Sequence, residues 1–306
     1  MNAVLNMPVV PTIASSAVLV SLNISVWTGR KLDKQVSAEI DNDKNTRVRA
    51  GNYHKNLMAG VKELDDIAKF AAETRNWFAY NTLPWGNEGT KIKDVGSLYE
   101  FTPELASRQD TFWAFVDAFC ATYYTAVQAA QFKLGALFNA DEYPPVEEIK
   151  AKFGFKYVFY PVPEAGDFRI DIGNDGLREL QAQFNTAKNE AIHTAMRSLW
   201  DATRDDLERL SNQLRVEITG DVEKLGKHVF PVERKGKLYQ STLDSALARC
   251  DMMKSMNLTG DPEMERVRKE LRMLLSGVDL VELRKDSAVR LSVKSEIDDL
   301  LGKFNF

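Results

Sequence analysis

The side chains in this chain best suited to chemistry are carboxylates, and their spacing decides what they could do. Asp41, Asp43 and Asn45 in "DNDKNTRVRAGN" stand at the first, third and fifth positions of a calcium-binding loop. Such a loop also needs a glycine at its sixth position and a bidentate glutamate at its twelfth. Thr46 and Asn52 occupy those places, so no calcium loop is expected. Asp167, Asp171, Asp175 and Glu179 would share a divalent ion only if folding drew them together. Their surroundings read instead as a polar turn, with Asp175 as a turn or helix cap. His54, His193 and His228 are scattered, and Cys120 and Cys250 have no partners at zinc spacing. Neither a metal nor a cofactor is expected.

Covalent and nucleotide chemistry find no better footing. No serine sits in a glycine-flanked elbow. The stretches "GRKLD", "GTKIK", "GKHVF" and "GKLYQ" all lack the glycine-rich approach to Lys-Ser/Thr that cradles phosphates. The dinucleotide fingerprint is missing as well, and no catalytic residue is assigned.

Two surfaces offer binding chemistry. In the first, Trp27, Tyr53 and His54 lie among Arg30, Lys31, Lys34, Arg47, Arg49 and Lys55. Cations neutralise phosphates while flat rings stack on unpaired bases; the competing reading is a solvated basic segment with Trp27 turned into the core. In the second, Arg234, Lys235 and Lys237 cluster where a hairpin tip is expected, as a phosphate contact or as a solubilising tip. Trp85 in "TLPWGNEG" is either a partner site or an anchor folded back on the core.

These residues need elements to hold them. Val18, Val20, Leu22, Ile24 and Val26 alternate as a strand that Thr28-Gly29 ends. A helix is expected from Tyr53 to Tyr80, stopped by Pro84, Gly86 and Gly89. Thr102-Pro103-Glu104 reads as the start of a long aromatic-rich helix running towards Leu137. Pro144 and Pro145 open a short helix, and "KYVFYPV" with "DFRIDI" reads as a hairpin. From Gly176 to Leu214, leucines, alanines and Phe184 recur at three- and four-residue steps. A helix of that length spans about 60 Å; it either packs antiparallel on another long helix or projects to meet a second chain. "HVFPVERKGKLYQ" suggests a second hairpin with Lys235-Gly236 at its tip. Ser241, Asp261-Pro262 and Ser287 then begin three further helices.

The fold class read from these patterns is mainly α with a minor β component (α+β): long antiparallel helices, small β-hairpins and an N-terminal strand. Residues 1–215 are read as an N-terminal helical domain and 216–306 as a C-terminal region. The 306 residues are 44% hydrophobic and 27% charged, enough for a full core. The net charge of -4 argues against a positive coat for unspecific nucleic-acid binding, though not against a local basic patch. Two scattered cysteines fit a reducing compartment. With no Lys or Arg before Arg30, and with Pro8 and Pro11, the N-terminus does not read as a signal peptide. No stretch approaches the roughly 18 apolar residues of a membrane helix, and no membrane contact is expected.

The blocks "LVSLNISVWTGRKLDKQVS", "TRVRAGNYHKNLMAG", "TLPWGNEG", "FKLGALFNADEYP" and "YVFYPVPEAGDFRIDI" resemble those of an uncharacterised family of tailed-bacteriophage proteins. More distantly, "SVWTGRK" is similar to helical proteins encoded beside MoxR-type AAA ATPases and von Willebrand A-domain proteins. The resemblance covers residues 17–220 and brings no catalytic residues with it. It implies a protein made in the cytoplasm of an infected bacterium, acting in phage DNA metabolism or host takeover, with an AAA ATPase as a candidate partner. The leading expectation is a non-enzymatic binding or adaptor protein that uses its basic N-terminal face and its 176–214 helix, the latter also a route to self-association. A single-stranded DNA-binding or annealing protein is the alternative, and an inhibitor of a host defence or polymerase a second.

Overall fold

A computed structural model describes residues 13–86, 89–164, 173–225 and 228–304. The chain begins with α1 (Ile13–Ser16), β1 (Ala17–Ser25), β2 (Arg30–Leu32), α2 (Lys34–Asp43), β3 (His54–Asn56) and α3 (Lys62–Tyr80). It continues through β4 (Leu83–Pro84), β5 (Lys91–Asp94), α4 (Leu98–Leu134), α5 (Val146–Lys150), β6 (Gly154–Pro161) and α6 (Gly173–Gln213). The hairpin β7 (Val216–Leu225) and β8 (His228–Lys235) follows, then α7 (Gln240–Ser255), α8 (Pro262–Ser276), α9 (Leu280–Lys285) and α10 (Ser287–Leu301). The fold is mainly helical with small antiparallel sheets, the class read from the sequence.

Two compact units share these elements, and neither is one continuous segment. Residues 1–20, 81–98 and 159–306 make the first; residues 21–80 and 99–158 make the second. Residues 216–306 thus belong to the same unit as α6.

In the first unit the opening of β1 pairs antiparallel with β5, from Ala17 opposite Asp94 to Val20 opposite Lys91, and β4 adds to β5 through Leu83 and Ile92. The core gathers along α6, whose Leu199, Leu207 and Leu210 are fully buried, as is Leu214 just beyond its end. Ala246, Cys250 and Met253 of α7, Val267 and Leu271 of α8, and Ile297 of α10 complete it. From Ala191 onward the α6 seam is therefore covered by its own chain, while Leu177, Leu180 and Phe184 upstream are half-buried. Asp261 accepts from the amides of Glu263 and Met264, with Pro262 as the first helical residue, so α8 starts as its sequence dictates. Helix α7 begins one residue before Ser241 and lacks a side-chain cap.

The second unit is built on α3 and α4. Leu64, Ile67, Ala71 and Phe78 of α3 are buried, as are Phe101, Leu105, Phe112, Val116, Phe119 and Tyr123 of α4. Their rings meet at centroid distances of 5.4 Å for Phe70 with Phe115 and 5.0 Å for the stacked Trp77 and Phe101. Such pairs add to the area they bury.

Three expectations need correction, and a fourth falls in part outside the described residues. The helix expected from Tyr53 begins only at Lys62, because residues 54–56 pair with β2 and Gly60, at φ 72°, turns the chain. Helix α4 starts at Leu98, not after Thr102. Asp94 caps the turn before it, accepting from the Ser97 amide at 2.8 Å and hydroxyl at 2.7 Å, and Pro103 lies inside the helix. Strand β6 lies beside β1 in sheet order, and the second strand expected of its hairpin, "DFRIDI", falls outside the described residues. Lys235 is not at a hairpin tip: it pairs with Val216 at the open end of the β7–β8 ladder, and the Gly236 amide donates to Arg215.

Candidate functional site

The basic N-terminal face rests on a two-stranded ribbon. In it Arg30 faces Asn56, Lys31 faces Lys55, and Leu32 faces His54. Two lysines directly opposite one another repel, so the ribbon needs anions. Asp33 and Glu142 supply them: Lys55 Nζ lies 3.1 Å from Asp33 Oδ2 and 2.7 Å from Glu142 Oε2, and donates to the Leu137 carbonyl at 3.0 Å. Lys31 Nζ lies 3.9 Å from the other Glu142 oxygen. The ammonium of Lys55, only 5% exposed, thus has three acceptors for its three protons. Burial alone would lower its pKa, but hydrogen bonds to Glu142 and Asp33 outweigh that and raise it. The Asp33 carboxyl is held below its ordinary range, first by the Val36 amide and then by Lys55. Lys55, expected as a surface contact, is an internal ion.

Asp33 has a second task. Its Oδ1 accepts from the amides of Gln35 and Val36, both at 3.1 Å, and so caps α2. Its amide donates to the Tyr53 carbonyl, and the Tyr53 amide donates to Ser37 Oγ at 3.0 Å. The segment that leaves the ribbon at Asp33 therefore returns to it at Tyr53.

At the far end of α2 the chain forms a tight loop. Asn45 adopts φ 51°, a left-handed conformation that asparagine tolerates better than most residues. The Thr46 amide donates to the Asp41 carbonyl at 2.9 Å, and the Ala50 amide to the Asp41 carboxylate at 3.1 Å. One residue thus pins both ends of the loop. Between the pins Arg47, Val48 and Arg49 stand exposed, with Val48 at 75%. A cleft of about 350 Å³ lies alongside, lined by Ile40, Lys44 and Tyr53 among others. The aspartate that fails as the first ligand of a calcium loop is the clamp of this one.

Trp27 is half-buried, its ring 6.2 Å from Phe119 and 6.4 Å from Tyr123. A second cleft, about 410 Å³, lies against it and is lined by Arg30, Asp65 and Arg75. Arg75 is oriented by a 2.8 Å bond to the Ile24 carbonyl. Arg30, Lys34 and His54 are exposed. The structure thus gathers Trp27 with Arg30 around one cleft and Arg47 with Arg49 on one loop, while Lys55 and Lys31 serve the ion cluster.

The remaining candidates belong to the first unit. Trp85 is half-buried against its core, and its amide donates to the Thr90 carbonyl at 3.0 Å. Lys235 donates to the Lys285 carbonyl at 3.1 Å, whereas Arg234 and Lys237 are exposed. Sequence reasoning passed over Arg75 and Glu142, whose roles depend on residues more than 50 positions away. Asp41 was legible in part, because an aspartate followed by Asn-Thr at four and five residues suits a local turn.

Among the described residues no three His, Cys, Asp or Glu side chains gather as a metal site, and no helix is long and apolar enough to cross a membrane. Comparison with known proteins finds no matching family model, no matching curated protein and no matching solved structure.

Proposed function

We propose that this protein is a non-catalytic adaptor that docks an acidic protein surface through the loop carrying Arg47, Val48 and Arg49. The observation that supports this reading is the clamp: Asp41 ties both ends of a loop whose exposed tip holds two cations around an apolar residue. A pre-ordered tip loses less conformational entropy on binding than a free one. Arginine is suited to carboxylates, which it holds in bidentate pairs. The phage resemblance adds a proposed setting, the cytoplasm of an infected bacterium, and an AAA ATPase as the partner to try first.

The test is co-purification from infected cells with the wild-type chain and with Arg47→Glu/Arg49→Glu. A partner retained by the wild type, released by salt and lost on charge reversal fits the proposal. An unchanged set of partners refutes it.

The cleft beside Trp27 favours a second reading, single-stranded DNA binding, since Arg30 and Arg75 flank a tryptophan there. Oligonucleotide affinity that falls steeply with salt, and falls again with Arg30→Ala, would put this reading in place of the first.

A further inference from the structure

Solvent-facing helix surfaces in this chain are generally charged: seven of the 15 residues of α8 are Glu, Arg or Lys. Helix α4 breaks that pattern, with no charged residue between Asp117 and Lys133. Its inner face is accounted for, since Phe112, Val116, Phe119, Tyr123 and Ala130 are buried. Its outer face is not. Ala114, Ala118, Ala121, Thr125, Gln128 and Phe132 are all exposed, Phe132 at 88%. At 3.6 residues per turn they fall in one stripe about 80° wide and about 27 Å long.

The sizes along this stripe are arranged about its middle. Turned end for end about a two-fold axis beside residue 123, the stripe places Phe132 on Ala114, Gln128 beside Ala118 and Thr125 beside Ala121. Each larger side chain meets a smaller one, which lets helices interlock. Two copies of a chain with net charge -4 repel at long range, and a face without charge is the place where they can touch without pairing like charges. We infer that this face of α4 is the contact between two copies of the chain, packed antiparallel as an isologous dimer.

Sedimentation equilibrium on the full chain reads this directly. A dimer is expected for the wild type, and Ala121→Arg should weaken it at least about 100-fold, the scale of a central interface residue. Residue 121 is exposed, so the variant should keep its helix content; Phe132→Ser, at the end of the stripe, should weaken the dimer less. The register is read by oxidation in a Cys120→Ser background. A mixture of Ala118→Cys and Gln128→Cys chains should cross-link, and neither alone should do so. A monomer at several hundred micromolar, a dimer indifferent to Ala121→Arg, or cross-linking of either single variant by itself overturns the inference. So does a monomer whose α4 face binds another protein.

Discussion

Lys55 in the second unit and Arg290 in the first are both buried cations, and they are held by opposite means. In the second unit Lys55 is met by carboxylates: with Lys31 it makes two positive charges against Asp33 and Glu142. In the first unit Arg290, 2% exposed, is met by carbonyls alone among its described partners. Its Nε donates to Leu214 at 3.0 Å, and Nη2 donates to Gln213 and Gly236. Gln213 and Leu214 stand at the C-terminal end of α6, where the helix dipole is negative and carbonyls lack helical partners. Arg290 therefore completes a helix end and ties it to the residue after β8. Burial pushes its pKa down, whereas the pKa of Lys55 is raised. A buried cation can thus be a charge pair or a backbone clasp, and the two should fail differently.

The largest effect should come from the clasp. Arg290→Met leaves three carbonyls without their donor, at a cost of about 3 kcal/mol, while Arg290→Lys, with fewer donors in fixed geometry, should recover only part of it. Urea denaturation measures both. Lys55→Met leaves Asp33 and Glu142 with only Lys31, 3.9 Å from Glu142, as a nearby cation; that cation and residual contact with water reduce the loss to about 2 kcal/mol.

The pH dependence separates the two more sharply. The folded-state pKa of Asp33 is depressed, so its contribution is present above the unfolded value near 4 and is lost as pH falls through the lower folded value. That of Lys55 is raised, so its contribution is present below about 10.4 and is lost as pH rises through the higher folded value. The Lys55→Met penalty should therefore shrink at both extremes. The Arg290→Met penalty should stay level from pH 4 to 10, where arginine remains charged. A level profile for both variants would erase the distinction.

Smaller effects test whether the remaining cations are independent of either scheme. Asp41→Ala removes one hydrogen bond of the loop clamp and should cost about 1 kcal/mol, with faster amide exchange at Ala50 as the local readout. Arg47→Ala with Arg49→Ala should change stability by less than about 0.5 kcal/mol, since both are exposed. A larger loss would show that the loop tip is structural.

What the sequence revealed follows the range of the interactions involved. The burial of Leu199, Leu207 and Leu210 was legible because helical periodicity records one face over many turns. Asp261-Pro262 was legible because a cap and its amides are only two and three residues apart. The ribbon was not, since three-residue strands carry too short a pattern to outweigh the helical spacing of Leu57, Val61 and Leu64. Nor was the fate of Lys55. A lysine amid arginines looks solvated until Glu142, 87 positions later, is folded against it. The same limit misplaced Lys235, whose Val216 partner only the ladder reveals.

The ribbon has one more consequence. Leu32 and His54 face each other, so the chain between them departs from and rejoins a single spot. Provided Asp33 is kept for its bond to Lys55, the span from α2 to Tyr53 behaves as an exchangeable cartridge. An engineer could graft a new recognition tip there and leave the aromatic core of α3 and α4 as it is.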